Sequence, residues 1–187
     1  MFADVTSANV VGYQNKGLNP LKKAYICQTM QTIGKTVAKQ TLADWSVSPD
    51  FEFDNDFIMF WTEDGDMAGK YTYVPQEIID DPEMEIPAGT KPGWFDFAAV
   101  DIDWDFSANL NNTEVPMGTM AMVFTANNDA TVNFAGEVRN DVTPLTLVPL
   151  KKTYIGNCSP VDITLGDIEA SEEFEFDNDY HVLDGRW

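Results

Sequence analysis

The sequence predicts an all-β fold, a β-sandwich or jelly-roll-like architecture built from a duplicated unit whose second copy is incomplete. Three observations carry this. Apolar and polar residues alternate with period two in several short stretches, and no stretch holds an i, i+3, i+4 apolar stripe over three turns. Ten prolines and twelve glycines punctuate the chain at intervals suited to short strands. The chain also repeats itself. Pro20-Leu21-Lys22-Lys23-Ala24-Tyr25-Ile26-Cys27 returns as Pro149-Leu150-Lys151-Lys152-Thr153-Tyr154-Ile155-Gly156, six of eight identical. Asp50-Phe51-Glu52-Phe53-Asp54-Asn55-Asp56-Phe57 returns as Glu173-Phe174-Glu175-Phe176-Asp177-Asn178-Asp179-Tyr180, again six of eight. Two matched blocks in the same order mark a duplication.

Along the chain, residues 37–45 read as a weak strand, and the alternation Phe51-Glu52-Phe53-Asp54 as a stronger one. Residues 76–81 predict one helical turn before Pro82, and residues 85–93 a loop. Residues 100–106 alternate and predict a strand with Trp104 pointing into the core. Residues 119–135 read as a hairpin turning at Asn127-Asn128-Asp129. Phe134-Ala135-Gly136-Glu137-Val138 stands to the second block roughly as Phe2-Ala3 stands to the first. That gives a first β unit over 1–133 and a partial second unit over 134–187, packed on the first or completed by another subunit. A half-unit of three or four strands leaves an unpaired edge, so self-association through β edges is expected.

Charge narrows the partners. Eleven Lys and Arg stand against 31 Asp and Glu, a net charge of −20. Phosphate-based nucleic-acid binding needs clustered Lys and Arg, so no nucleic acid is expected as a partner. No apolar run reaches the roughly 20 residues of a membrane span, so no membrane insertion is expected. Met1-Phe2-Ala3-Asp4 reads as the stub of a removed leader, which places the protein outside the cell or at its surface. Cys27 and Cys158 are the only cysteines. A bridge between the repeats and two separate buried thiols are the alternatives.

Three stretches place carboxylates at every second residue: Glu52, Asp54 and Asp56; Glu175, Asp177 and Asp179; Asp101, Asp103 and Asp105. On strands each would form a one-sided stripe of like charge, balanced by solvent, by lysines such as Lys22-Lys23 and Lys151-Lys152, or by calcium. The Asp54-Asn55-Asp56 and Asp177-Asn178-Asp179 triplets supply the oxygens calcium prefers, without the glycine and terminal glutamate of an EF-hand loop. Asp80, Asp81, Glu83 and Glu85 form a further acidic cluster in a loop. No cofactor other than calcium is suggested. His181 is the only histidine, and no nucleophile elbow, phosphate loop or Cys/His metal spacing occurs, so no enzyme is expected. Trp94, Tyr71 and Tyr73 are the aromatics best placed for an exposed platform that stacks on sugar rings; core packing is the competing reading for each.

Thr6-Ser7-Ala8-Asn9-Val10-Val11-Gly12-Tyr13-Gln14 resembles the start of a group of secreted, largely uncharacterised β-rich proteins from Verrucomicrobia- and Lentisphaerae-like bacteria. Phe60-Trp61-Thr62-Glu63-Asp64-Gly65, Gly93-Trp94-Phe95-Asp96 and the segment 134–138 resemble later features of that group. The resemblance implies export and a β fold, and it brings no catalytic residues. The segment 116–121 departs from the group's Gly-rich, aromatic pattern. The expectation is a secreted structural or interaction protein, a self-assembling cell-surface or filament subunit. The alternative is a carbohydrate-binding module that meets polysaccharide through exposed aromatics.

Overall fold

Among the described residues eight strands form two antiparallel sheets, and two short helices lie over one end of the larger sheet. The computed structural model describes residues 11–62, 64–126, 129–138, 151–157, 164–169, 172 and 174. The first sheet has the order β1-β8-β3, from β1 (Val11–Gly17), β8 (Thr131–Glu137) and β3 (Ser46–Val47). The second has the order β2-β7-β4-β5-β6. Its members are β2 (Lys23–Ile26), β7 (Ala121–Phe124), β4 (Phe57–Trp61), β5 (Met67–Val74) and β6 (Gly93–Asp96). Val132 and Phe134 of β8 share one core with Ile58, Phe60, Ala121 and Val123 of the larger sheet, which makes the pair a sandwich.

The centre of that core is aromatic. The Trp45 ring meets Phe60 and Phe134 edge-on at 5.6 and 5.0 Å, and Trp94 meets Phe51 and Tyr73 at 5.9 and 5.5 Å. Such T-shaped pairs set the positive edge of one ring against the negative face of another. A second, smaller core lies on the outer side of β5 and β6. There Val74, Phe95, Val100 and Phe106 pack beneath α1 (Gln76–Ile79) and α2 (Phe97–Asp101). Asp96 starts α2 by accepting a hydrogen bond from Ala99 N–H at 3.0 Å.

Four local expectations need correction. Residues 119–135 are not a hairpin: β7 and β8 belong to different sheets, and the chain crosses the sandwich between them. Leu18 N–H donates to the Ala130 carbonyl and the Asp56 carboxylate accepts Ala126 N–H, pinning both ends of the crossing. Residues 37–45 are not a strand but two 3-10 turns, Val37–Lys39 and Leu42–Asp44. The buried Gln40 amide donates to the Thr36 carbonyl, and Thr41 and Asp44 close a capping box. These side chains satisfy backbone groups that a ladder would otherwise have needed. Residues 51–56 turn back on themselves, with Asp56 accepting Glu52 N–H at 2.9 Å. Residues 100–106 form the end of α2 and a reversal through Trp104, whose φ is 52°. Trp104 is 45% exposed rather than in the core.

The expected boundary between 133 and 134 falls inside β8. That strand is the centre of its sheet, pairing with β1 from Val11↔Glu137 to Gly17↔Thr131 and with β3 on its other side.

Candidate interaction site

The duplicated block appears twice around one tryptophan. Ala24 and Ile26 pack into the core, so alternation turns Tyr25 to the outer face of the larger sheet. There Tyr25 stacks on Trp61 with centroids 6.1 Å apart. Tyr154, its counterpart in the second block, stacks on the same Trp61 at 4.8 Å. Ile155 bridges to Thr119, Gly156 N–H donates to the Gly118 carbonyl at 3.0 Å, and Lys151 forms an ion pair with Asp64. A Cβ on Gly156 would sit 3.0 Å from both Cβ and Sγ of Cys27, so a side chain there would press on the cysteine of the first block. The buried Cys27 thiol donates to the Asn157 carbonyl at 2.7 Å. Cys158 lies outside the described residues, so the bridge between the repeats has no geometry to report.

Further along the same outer face, the Lys70 ammonium sits 3.9 Å above the Phe57 ring and 3.5 Å above Phe97. Burial pushes its pKa down, while Asp101 and Asp96 pull it back up.

The carboxylate stripes expected from the sequence do not assemble. Asp54 and Asn55 are exposed on a turn, where Asn55 Nδ2 donates to Asp54 at 3.0 Å, while Asp56 is fully buried. Its carboxylate accepts Glu52 N–H and, at 2.8 Å, Ala126 N–H. Burial pushes the Asp56 pKa up; the two backbone donors pull it down, and Glu52 and Asp54 add to the rise. Asp101, Asp103 and Asp105 are exposed along the helix end and turn rather than lined up on a strand. Asp105 accepts Ser107 N–H at 2.8 Å, and its hydrogen bonds with Ser107 hold its pKa down. Among the described residues no group of three or more His, Cys, Asp or Glu is placed to hold a metal ion. Asp177, Asn178 and Asp179 lie outside the described residues.

The expected aromatic platform is taken up by the fold. Trp94 is fully buried and its Nε1 donates to the Trp45 carbonyl at 2.9 Å, which removes it as an exposed ligand residue. Tyr71 and Tyr73 are half-buried against the main core. Tyr73 also lines a cleft of about 110 Å3 with Val47, Ser48, Phe51, Pro75 and Glu77.

What alternation in the sequence concealed is the set of exposed apolar residues. Val11 and Tyr13 on β1 are 61% and 64% exposed, and Leu21 in the turn before β2 is 74% exposed. Ile102 is 75% exposed beside Trp104. Trp104 is held in place by donating from Nε1 to the Met84 carbonyl at 3.0 Å and by edge contacts with Phe53 and Phe106.

No helix among the described residues is long and apolar enough to cross a membrane. Compared with family models, curated proteins and solved structures, the chain matches none.

Proposed function

We propose that this chain is an exported structural protein that associates with copies of itself, and that the pairing runs along β1. The observation carrying this reading is the character of that strand. β1 spans seven residues at the edge of its sheet among the described residues, with Val11 and Tyr13 turned outward into solvent. A strand at the edge of a sheet can take on a further strand along its outer side, and stable monomers usually blunt such edges with charge, proline or bulges. Lys16 is the only charged residue in β1, and it shares the inward face with Gln14, opposite Val132. The outward residues of β1 itself, Val11, Tyr13, Asn15 and Gly17, are uncharged, and the nearest carboxylate on that face is Glu137, opposite Val11 at the start of the strand. The double substitution Val11→Lys with Tyr13→Lys leaves the core untouched and charges the outward face. Light scattering on the unmodified chain is expected to give a mass above 20.9 kDa that grows with concentration. The double variant is expected to lose that growth. Equal growth in both would remove β1 from the reading.

A second reading, carbohydrate binding, rests on the cleft beside β3. Tyr73 gives it a ring, Glu77 a carboxylate and Ser48 a hydroxyl, the combination of stacking surface and polar groups that holds a sugar. If it operates, the protein is retained on insoluble polysaccharide and Tyr73→Ala releases it. Passage of the unmodified chain straight through such a column would dismiss it.

A further inference from the structure

We infer that two copies of this chain meet end to end, the basic turn 21–23 of each seated on the acidic, apolar loop 102–105 of the other. The inference rests on the reading of the chain as a self-associating subunit and names a second contact beyond β1.

Two features mark these loops as complementary. The first is charge. Lys35 is paired with Asp44, Lys39 with Glu114 and Lys151 with Asp64, and Lys70 is enclosed by two phenylalanine rings near Asp96 and Asp101. Lys16, Lys22, Lys23, Lys91 and Lys152 form no ion pair among the described residues, and of these Lys22 and Lys23 are neighbours in sequence and both exposed. They are adjacent positive charges on a surface of strongly negative balance. Loop 102–105 is their complement: Asp103 and Asp105 are exposed and lie outside every ion pair of the described residues.

The second feature is that each loop presents apolar surface beside its charge. Leu21 adjoins the two lysines, and Ile102 and Trp104 alternate with the aspartates. Leu21 and Trp104 both have φ in the left-handed region, 59° and 52°. In each loop the chain reverses sharply with a large apolar side chain turned to solvent. An indole face accepts an ammonium ion well, so Trp104 suits a lysine as much as a leucine. An apolar anchor ringed by complementary charge is the usual build of a specific contact.

Placement makes the contact reciprocal. Leu21 N–H donates to the Thr125 carbonyl at 2.8 Å, and Ala126 N–H donates to Asp56. Asp56 closes the turn that carries Phe53, whose ring lies 6.2 Å from Trp104. A short run of contacts through Asp56 therefore joins the basic turn to the acidic loop at one end of the sandwich. A twofold axis at that end brings the basic turn of each copy to the acidic loop of its partner, and the same contact forms twice. Two chains of charge −20 repel at long range. At physiological ionic strength that repulsion is screened beyond about 8 Å, while charges in contact are screened far less.

Charge reversal tests this in the Val11→Lys/Tyr13→Lys background, where growth along β1 is blocked. One variant carries Lys22→Glu and Lys23→Glu, the other Asp103→Lys and Asp105→Lys; all four positions are exposed. The background protein is expected at twice the 20.9 kDa chain mass. Each reversal alone is expected at the single-chain mass, its dissociation constant raised on the order of 100-fold. An equimolar mixture of the two reversals restores every opposite-charge contact between unlike chains, so the two-chain mass should return. Reversals that keep the two-chain mass, or a mixture that stays at single-chain mass, would overturn this contact while leaving the β1 reading intact. A single-chain mass for the unsubstituted protein at every concentration would overturn both.

Discussion

Trp94→Ala is expected to lower the unfolding free energy by about 4 kcal/mol, read as a fall in the urea midpoint at unchanged slope. Trp94 has no exposed surface, and two kinds of interaction end with its ring. Its edge contacts with Phe51 and Tyr73 link the turn at 51–56 to β5. Its Nε1 satisfies the Trp45 carbonyl, which is left without that donor once the indole is gone. Its backbone N–H is taken by Asn111 Oδ1 at 2.9 Å, so the ring sits in a fixed frame that cannot easily collapse into the void. A substitution costing less than about 1 kcal/mol would mean that Trp94 is not at the centre of the core.

Asp56→Ala is the second large effect, about 2 kcal/mol at neutral pH, because the Glu52 and Ala126 N–H groups lose their acceptor in a buried setting. Its pH dependence has a definite sign. Burial raises the Asp56 pKa in the folded chain above its ordinary 3.8. Below that ordinary value both the folded and unfolded chains hold the proton, and the contribution of Asp56 is complete. As pH rises the unfolded chain releases its proton first, so the contribution declines until the folded group has titrated as well. The difference in unfolding free energy between the unmodified chain and Asp56→Ala should therefore shrink from pH 3 upward and level off above the raised pKa. A difference that grows over the same range would mean that the charged carboxylate is the form the fold prefers. Taking the difference between two chains removes the general acid response of the other thirty carboxylates, which both share.

The fold class was readable because burial in a sandwich repeats with period two. The alternation at residues 120–125 belongs to β7, paired on both sides by β2 and β4. The same alternation at 51–56 and 100–106 belongs to turns. Phe51 and Phe53 do go inward, but into two different cores, and aspartate side chains rather than neighbouring strands take up the local N–H groups. Pattern reports which side chains leave water; it is silent on whether a strand or a carboxylate satisfies the backbone. The turn signal at 127–129 was equally ambiguous, since a reversal between paired strands and a crossing between sheets use the same residue types. For the site, the sequence marked Asp103 and Asp105 as part of an acidic stripe and Lys22 and Lys23 as lysines able to balance one, yet it buried Trp104 between the two aspartates. Only the left-handed turn at Trp104 brings the indole out beside its aspartates, and no residue type at that position announces it. The repeat itself carried more than periodicity did, because Tyr25 and Tyr154 meet on one Trp61.

Self-association is the claim on which the functional account stands, and solution mass measured by light scattering over a hundredfold range of concentration addresses it most directly. The account predicts a mass above 20.9 kDa that rises with concentration at physiological ionic strength. A mass of 20.9 kDa at every concentration would contradict it.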